Sequence, residues 1–288
     1  MKLSIITINY NNAQGLKKTM ESVLSQTSND FEYIVVDGAS NDASLQVISN
    51  QLSVIRDDKS GEVVTNDITV KWISEPDNGI YHAMNKGIRM AKGDYVQILN
   101  SSDWLVNADV TKTLLQELDA KLDVQILYGN MLKVMPDNRI LRDASFEGKE
   151  ITMLDMFTGT LNHSPVYIKR SLFDAFGLYD EALKYVSDWK WYVKAIIMGG
   201  VKPMYVNTDV IYFDMAGVST SNWDKTLQEK RAEMDKLFPA TILTDYDRWA
   251  FPIDQMKRLQ RYSVIYKLVW FVERCLFKWE KRKSKFLK

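Results

Sequence analysis

The sequence is poor in several residues on which functional sites are often built. Its single cysteine, Cys275, excludes an intrachain disulfide framework and a cysteine-rich zinc module. With only two histidines, His82 and His163, a histidine-rich metal site is excluded as well. No run of about 18 uninterrupted apolar residues occurs, so no membrane-spanning helix is expected. The amino-terminal segment turns polar after eight residues, unlike a secretory signal, and a reducing cytosolic setting is expected.

Three glycine-containing motifs are also absent. The chain has no Gly-x-Gly-x-x-Gly, no Gly-x-x-x-x-Gly-Lys-[Ser/Thr] and no Gly-x-Ser-x-Gly. These absences exclude a dinucleotide fingerprint, a P-loop and a nucleophile elbow. The chemistry that remains is that of carboxylates, with a hard cation such as Mg²⁺ or Mn²⁺.

What is present is an ordinary globular composition with an uneven distribution of charge. The 288 residues are 46% hydrophobic and 26% charged, with 37 basic and 37 acidic side chains. Residues 255–288 hold eleven lysines and arginines against two glutamates, a net charge of +9, which leaves −9 for residues 1–254. An acidic body with a basic tail is an asymmetry that requires an explanation.

Strand and helix patterns alternate in the first half of the chain. The predicted strands are 2–9, 31–36, 70–74 and 94–99, and the predicted helices are 14–26, 44–52 and 80–91. Residues 57–69 are polar and predict an exposed loop or a small hairpin insertion. This order predicts an α/β fold with a mostly parallel central sheet and helices on both faces.

The second half is less regular. Its predicted helices are 114–121, 171–176 and 187–198, and its predicted strands are 125–135 and 162–168. A linker near 239–252 is predicted to lead into the basic tail.

Polar side chains follow each of the four strands predicted in the first half. These strand ends read NYNN from residue 9, DGASND from residue 37, SEPDNG from residue 74 and NSSD from residue 100. Each cluster alone is as consistent with a turn or a helix cap as with a ligand site. Ligands of open α/β sheets bind at the carboxyl ends of the strands, so four such ends in succession favour a shared site.

Five segments in order then resemble a known family. LSIITINYNN, VVDGASNDAS, SEPDNGIYHAMNKGI, GDYVQILNSSDWL and VSDWKWYVKA are similar to segments of the family 2 glycosyltransferases, which have the GT-A fold. Within that family the chain most resembles the bacterial enzymes of colanic-acid and capsule type. The resemblance implies a catalytic domain over 1–220, with a nucleotide-sugar half to about 105 and an acceptor half from about 106, and a helical extension over 221–288.

The resemblance also implies residues for the nucleotide. Thr7, Asn9 and Tyr10 would line the nucleotide pocket. Asp37 would accept a hydrogen bond from the base, which is typically uracil. Asp42 would serve the nucleotide or cap the following helix.

Further donor and metal residues follow from the same resemblance. Asn85 and Lys86 would face the donor, where the lysine could balance diphosphate charge. Ser101 and Ser102 would also lie on the donor side, although Ser102 stands where the family usually has the first acid of its metal motif. Asp103 matches the acid that binds the divalent cation, Mn²⁺ or Mg²⁺, and diphosphate oxygens and water would complete the shell.

Asp188 matches the catalytic base of the family, although aspartate at this position is also a common helix cap. His163 and Trp189 would lie on the acceptor or diphosphate side. His82 is left unassigned, and the segment Gly217–Ser219 resembles a closing loop.

The implied reaction is the inverting transfer of a sugar from a nucleotide-diphosphate donor, a UDP-sugar, to a hydroxyl of a glycan or lipid-linked saccharide. Its setting would be the synthesis of a bacterial surface polysaccharide. Two alternatives are a nucleotidyltransferase and a non-catalytic homologue that binds sugar nucleotides or acts as a scaffold. The first would need a basic glycine-rich loop early in the chain, and residues 9–15 hold no lysine or arginine.

The tail alternates aromatic and apolar positions with lysines and arginines from about residue 255. This pattern is typical of a basic amphipathic helix at an anionic membrane surface, which would place the protein at the cytoplasmic face of the plasma membrane. The tail could equally dock on the protein itself or on the partner in a homodimer. A basic tail alone is not a recognition module, so no nucleic-acid partner is expected.

Overall fold

A computed structural model describes residues 1–54, 59–121, 123–215, 222–260 and 262–286. Of residues 254, 257 and 281–286 only the backbone is described. The chain divides into a unit of residues 1–233 and a unit of residues 234–288. The catalytic-domain boundary at residue 220 stays a prediction.

The first half alternates strands and helices as predicted. Its elements are β1 (Leu3–Asn9), α1 (Ala13–Leu24), β2 (Phe31–Asp37), α2 (Ser44–Leu52), β3 (Ser60–Thr65), β4 (Ile68–Ser74), α3 (Ile80–Met90) and β5 (Tyr95–Ile98). Every residue of β1 and β2 is buried, which is the pattern of parallel strands covered on both faces.

The predicted hairpin is formed by β3 and β4. The two strands are antiparallel, and Thr65 pairs with Ile68 across a two-residue turn. Asn66 and Asp67 form that turn with φ of 51° and 61°, a conformation that asparagine and aspartate tolerate. Residues 57 and 58 of the predicted insertion lie outside the described residues.

The second half contains several elements that the sequence patterns did not predict, notably β6, β8, α5 and β10, whereas α8 lies within the predicted helical extension. The full order is β6 (Trp104–Leu105), α4 (Val110–Ala120), β7 (Ile126–Val134), β8 (Ile140–Asp143), α5 (Met153–Thr158), β9 (Val166–Lys169), α6 (Ser171–Phe176), α7 (Ser187–Tyr192), a π-helical segment (Val193–Met198), β10 (Met204–Asp214) and α8 (Trp223–Leu237). The segment 162–168 was predicted as a strand that begins in a polar loop, and the strand itself begins at Val166.

Within the described residues, the strands form one mixed sheet in the order β3-β4-β2-β1-β5-β9-β7-β10-β6, with β8 paired to β7. Strands β4, β2, β1 and β5 form a parallel block. β9 runs antiparallel to both β5 and β7, which joins the two halves of the sheet.

Helices cover both faces of the parallel block. Leu3 and Ile5 of β1 share a core with Leu16 of α1 and Ile48 of α2. The opposite face of β1 meets α3 at Gly87, where a Cβ atom would lie 2.3 Å from Ile6 Cγ2. Only glycine permits this close approach of helix and strand.

The second unit is helical, with α9 (Ala240–Gln260) and α10 (Ser263–Phe286). The linker predicted near 239–252 is wrong, since α9 continues through Pro252. Proline removes one backbone hydrogen bond of a helix, and the remaining residues of α9 still form it. In the described part of the chain, no helix is long and apolar enough to cross a bilayer.

Candidate active site

The carboxyl ends of the parallel strands meet along one rim of the sheet. Asn9 at the end of β1 pairs with Asp37 at the end of β2, which pairs with Ser74 at the end of β4. β5 reaches the same level, because the N–H of Ser101, just beyond it, donates to the carbonyl of Ile8 at 3.1 Å. The predicted alignment of four polar strand ends is therefore present.

Asp37 is fully buried, and both of its carboxylate oxygens accept internal hydrogen bonds. Oδ1 accepts from Asn9 Nδ2 at 2.8 Å and from Ser40 Oγ at 2.5 Å. Oδ2 accepts from the Ser40 N–H at 2.9 Å and from Ser74 Oγ at 2.6 Å. Asp37 and Asn9 thus hold the rim together from inside, and a hydrogen bond from Asp37 to a base stays a prediction.

Tyr10 is the exposed side chain of this rim, with 69% of its surface accessible. A Cβ atom on Gly38 would lie 3.2 Å from the Tyr10 ring and 3.1 Å from Asp77 Oδ2, so the three residues lie close together. His82 Nδ1 lies 3.1 Å from the other oxygen of Asp77. The exposed ring, with polar groups beside it, is a surface on which a flat base could stack.

Thr7 and Asp42 take structural positions. Thr7 is fully buried, and its hydroxyl accepts from Tyr33 Oη at 2.9 Å, so its place in a nucleotide pocket stays a prediction. Asp42 accepts from the N–H groups of Ala13 and Ser44, both at 2.9 Å, at the first turns of α1 and α2. Burial alone would raise the pKa of Asp42, but these hydrogen bonds lower it. Of the two roles considered for Asp42, the structure contains the cap.

Asn85 and Lys86 of α3 both have partners within the protein, and their place facing the donor stays a prediction. Asn85 is 1% exposed, and its amide hydrogen-bonds the backbone N–H and C=O of Tyr179 at 3.0 and 2.8 Å. Lys86 Nζ pairs with Asp77 at 2.5 Å and with Glu75 at 2.9 Å. Burial alone would lower the pKa of Lys86, but these two carboxylates raise it. Lys86 braces the loop before α3, and Asn85 ties α3 to the loop between α6 and α7.

Asp103 points inward from the rim and is 3% exposed. Ser164 Oγ donates to its Oδ2 at 2.8 Å. The preceding Ser102 has a φ of 89°, a conformation that costs energy for a residue other than glycine and that recurs at functional sites. Asn12 Nδ2 donates to the hydroxyls of Ser102 at 2.9 Å and of Ser101 at 3.4 Å, which ties this segment to the start of α1.

Asp188 lies in the first turn of α7, and its side chain is 15% exposed. Tyr81 Oη donates to its Oδ1 at 3.0 Å, and His163 Nδ1 lies at an ion-pair distance of 3.6 Å from its Oδ2. Burial alone would raise the pKa of Asp188, but His163, the Trp189 N–H and Tyr81 outweigh burial and lower it. Asp188 is therefore held as an oriented and ionised carboxylate.

His163 joins Asp188 to the strand rim. Its Nε2 lies 3.0 Å from Asn100 Nδ2, in the segment that carries Asp103. Burial alone would lower the pKa of His163, but Asp188 and Asp103 raise it. Because His163 pairs with Asp188 while its neighbour Ser164 binds Asp103, two consecutive residues bring the predicted base and the predicted metal ligand to one place.

The donor set for a cation is small. No group of three or more histidine, cysteine, aspartate or glutamate side chains that could hold a metal ion occurs among the described residues. Asp103 is a single buried carboxylate, and burial raises its pKa to about 7. A buried carboxylate of this kind gains from a cation, and Mg²⁺ is often held by one or two carboxylates plus substrate phosphates and water. The residues present fit that mode.

Of the residues near Asp188, Tyr81 was not predicted and Trp189 was. Tyr81 lies within the segment SEPDNGIYHAMNKGI, but nothing in that pattern indicated a hydrogen bond to Asp188. Trp189 is 2% exposed and donates to the carbonyl of Met156 at 2.7 Å, so its predicted place beside an acceptor stays a prediction. The predicted closing loop at Gly217–Ser219 lies outside the described residues.

Helix α8 also reaches this region, and no motif pointed to it. Glu229 accepts from the N–H groups of Lys184, Tyr185 and Val186 at 2.9, 2.7 and 3.1 Å, in the segment before α7. One turn on, Glu233 pairs with Lys190 of α7 at 2.7 Å.

A sequence model of the family described as Glycosyl transferase family 2 matches residues 4–173. A PGL/p-HBAD biosynthesis glycosyltransferase of Mycobacterium tuberculosis is 24% identical over 249 residues, which cover 85% of this chain and 90% of that protein. A second Mycobacterium tuberculosis protein, described as an uncharacterized glycosyltransferase, is 27% identical over 226 residues, which cover 76% of this chain and 77% of that protein.

Two solved structures are similar in fold. TarS 1-349 of S. aureus in complex with UDP-GlcNAc has a TM-score of 0.60 and 20% identity, covering 77% of this chain and 61% of that chain. The mannosyltransferase PcManGT from Pyrobaculum calidifontis, in complex with GDP-Man and Mn²⁺, has a TM-score of 0.63 and 19% identity. The match covers 83% of this chain and 65% of that chain. Against a longer TarS chain, this chain spans 40% of the length.

Proposed function

This chain belongs to glycosyl transferase family 2 and has the GT-A fold, and from that premise we propose that it is an inverting enzyme that uses a UDP-sugar. The acceptor in this proposal is a hydroxyl of a glycan or lipid-linked saccharide in the synthesis of a bacterial surface polysaccharide. Membership of the family favours sugar transfer over the nucleotidyltransferase and scaffold alternatives.

The single observation that carries this proposal is the convergence of Asp103 and Asp188. Ser164 binds the first carboxylate and His163 pairs with the second, so the two acids flank one site at the strand rim. Single displacement with inversion needs one carboxylate beside the acceptor and positive charge beside the leaving diphosphate.

Asp188 is the general base of the proposal. Its Oδ1 accepts from Tyr81 and its Oδ2 lies beside His163, and these two contacts set the orientation of the carboxylate. Each carboxylate oxygen has a further lone pair, with which one of them can accept the proton of the attacking hydroxyl. The lowered pKa keeps the group ionised at neutral pH.

Asp103 would hold the divalent cation, Mn²⁺ or Mg²⁺. When bound, such a cation neutralises negative charge that develops on the leaving diphosphate. The mannosyltransferase neighbour was solved in complex with Mn²⁺, which supports a cation at this type of site. Ser164 keeps the Asp103 carboxylate oriented through its hydrogen bond to Oδ2.

On the donor side, Tyr10 offers its exposed ring to the base, beside the rim that Asp37 and Asn9 hold together. Two structural neighbours were solved in complex with UDP-GlcNAc and with GDP-Man. A uridine donor is the proposal here, and a guanosine donor is the other outcome of its test.

The proposal is tested by a thermal-shift screen with UDP-, GDP-, CDP- and dTDP-sugars, each with and without Mn²⁺. We expect a UDP-sugar to raise the melting temperature, with a larger rise when Mn²⁺ is present, because a ligand that binds only the folded state stabilises it. A Tyr10→Ala variant should lose most of the shift, whereas Tyr262→Ala, which removes an exposed tyrosine of the second unit, should keep it. If no nucleotide sugar raises the melting temperature, the proposal is wrong.

We also place the protein at the cytoplasmic face of the plasma membrane, through α10. Lys267, Arg274 and Lys278 share one face of this helix, being seven and four residues apart. An apolar row occupies another face; its described members are Ile265, Leu268, Val269, Val272, Leu276 and Trp279, all exposed by between 38% and 61%. A basic face beside an apolar face complements an anionic lipid surface.

Sedimentation with vesicles separates membrane binding from docking on a protein surface. The full chain should sediment with vesicles that contain phosphatidylglycerol and stay in solution with phosphatidylcholine alone, because anionic lipids attract the basic face. A Lys267→Gln, Arg274→Gln, Lys278→Gln variant should lose this binding, and neutralising the exposed Lys17, Lys112 and Lys225 instead should not. If the chain does not sediment with either kind of vesicle and light scattering gives the mass of a dimer, α10 would instead be assigned to the contact between two copies of the chain.

A further inference from the structure

Helix α8 lies beyond residues 4–173, the part of the chain that the family model matches, and yet it contacts the helix that carries Asp188. Its residues 229, 230 and 233 all have partners in residues 159–190. Positions 229 and 233 lie one turn apart on one side of α8, with Lys230 beside them. These contacts fix that side of α8 against the segment that carries Asp188.

Two glutamates hold α8 in place. Glu229 accepts three backbone N–H groups from the segment before α7. Glu233 pairs with Lys190, which also pairs with Asp180 at 2.7 Å. Among the described residues, neither glutamate forms an ion pair with Lys230, which lies between them in sequence.

At short range, the partners of Lys230 among the described residues are neutral. Its Nζ donates to the carbonyl of Gly159 at 2.7 Å and lies 5.2 Å from the centre of the Trp189 ring. In the described part of the chain, no carboxylate oxygen lies within 4.0 Å of this Nζ. An ammonium group has three N–H donors, so two remain for a ligand.

The surroundings of Lys230 favour an anion. Burial lowers its pKa to about 8, and the charge of Asp188 acts in the opposite direction. A partly buried ammonium group that lacks an anionic partner is unfavourable, and an arriving anion would remove that penalty. Trp189 and Gly159 place this ammonium beside the base and beside the loop that leads to His163.

We propose that Lys230 binds an anionic group, a phosphoryl or a carboxylate, of the substrate that reaches Asp188. This inference rests on the proposed function, which supplies two sources of such a group. One is the diphosphate of the donor, and the other is a phosphoryl or carboxylate group on the acceptor. The competing view is that Lys230 only caps the carbonyl end of α5 through Gly159.

The first experiment needs neither donor nor acceptor. The full chain is treated with acetic anhydride at constant ionic strength, with and without inorganic phosphate or pyrophosphate, and acetylation of each lysine is followed by peptide mass spectrometry. We expect either anion to slow acetylation of Lys230 several-fold, and to leave the exposed Lys225 of the same helix unchanged. Equal rates for Lys230 with and without both anions overturn the proposal.

The second experiment identifies the source of the anion with Lys230→Gln, Lys230→Arg and the control Lys225→Gln. If Lys230 binds the diphosphate, the glutamine variant should bind UDP about tenfold more weakly in calorimetry, since it loses a charge-assisted hydrogen bond. If Lys230 binds the acceptor, UDP affinity should stay unchanged and the KM for the acceptor should rise about tenfold. Lys230→Arg should preserve much of either affinity because it keeps the charge.

The two proposals fail in different ways. A chain whose Lys230 is protected by pyrophosphate, but which binds no nucleotide sugar, supports this inference and contradicts the proposed function. If the Lys230→Gln variant transfers sugar normally, with unchanged UDP affinity and acceptor KM, Lys230 only caps α5. That result overturns the inference.

Discussion

His163 and Ser164 are neighbours in the chain, and each binds one of the two carboxylates on which the proposed reaction depends. Ser164 Oγ donates to Asp103 at 2.8 Å, and His163 Nδ1 lies 3.6 Å from Asp188. Asp103 follows a central strand and Asp188 lies in the first turn of a helix much later in the chain, and a single loop before β9 contacts both. A displacement of that loop would move both acids together.

Replacing Asp188 by asparagine should abolish sugar transfer and leave donor binding nearly intact. The amide keeps the size of the side chain but cannot take the proton of the acceptor, and loss of a general base typically costs about 10²- to 10⁴-fold in rate. The measurement is turnover together with calorimetric affinity for the nucleotide. The exposed Asp174→Asn is a matched control and should retain wild-type turnover. An Asp188→Asn enzyme with wild-type turnover would place the base elsewhere.

Replacing Asp103 by alanine should remove the part of donor binding that depends on Mn²⁺. Asp103 is the buried carboxylate that we assign to the cation, and alanine removes its charge and its oxygen ligands together. Calorimetry of the donor nucleotide with and without Mn²⁺ measures the effect. Ser164→Ala serves as the comparison, because it removes one hydrogen bond from Asp103 and keeps the charge. An unchanged effect of Mn²⁺ in Asp103→Ala contradicts the assignment.

Replacing Glu229 by glutamine should lower kcat more than it weakens UDP binding. The carboxylate accepts three N–H groups of residues 184–186 at 2.7 to 3.1 Å, which sets the start of the helix that carries Asp188. A neutral amide accepts such bonds more weakly, since hydrogen bonds to a charged group are about twice as strong. Steady-state kinetics and calorimetry give the two quantities. Asp224→Asn, at an exposed position in the first turn of α8, should change neither, and an equal loss in both variants would refute a specific role for Glu229.

Replacing Glu32 by glutamine should reduce stability in a manner that depends on pH. Glu32 is fully buried and accepts from Lys71 Nζ at 2.6 Å, Ser4 Oγ at 2.7 Å and the Lys92 N–H at 2.5 Å. Burial alone would raise the pKa of Glu32, but these partners lower it. Removing one partner of a buried ion pair costs about 3–5 kcal/mol, because Lys71 is left uncompensated.

The sign of that pH dependence follows from the lowered pKa. The stabilisation by ionised Glu32 is fully present above the pKa of an unfolded glutamate, about 4.3, and is lost as the pH falls through the lower pKa of the folded state. Urea unfolding should therefore show that the free energies of unfolding of wild type and Glu32→Gln differ by a constant amount from about pH 6 to 8. The gap should narrow in acid, and a gap that widens below about pH 4 would contradict this account. Glu62→Gln, on the partly exposed strand β3, is the control.

Local patterns predicted the first half of the fold because each element there has a regular period and a clear end. Residues 31–37 alternate between two buried faces, and α3 ends where its apolar spacing ends. The two-residue strand β6 and the long strand β10 have no such signal, because β6 pairs with β10 and β10 pairs along most of its length with β7, all across long stretches of intervening chain. The prediction of a linker near 239–252 failed for the opposite reason, because Pro252, a residue that usually ends a helix, is accommodated within α9.

The order of residues alone determined the family and the parallel block, since short-range patterns and motifs are properties of the chain itself. It also led to the prediction of the two acids. The same order led to the prediction that Asn85 and Lys86 face the donor. In the structure these two side chains contact neighbouring loops. Only the tertiary structure decided what surrounds Asp188. Contacts with Tyr81, His163 and α8 join segments that lie far apart in sequence, and such contacts exist only after the sheet has brought those segments together.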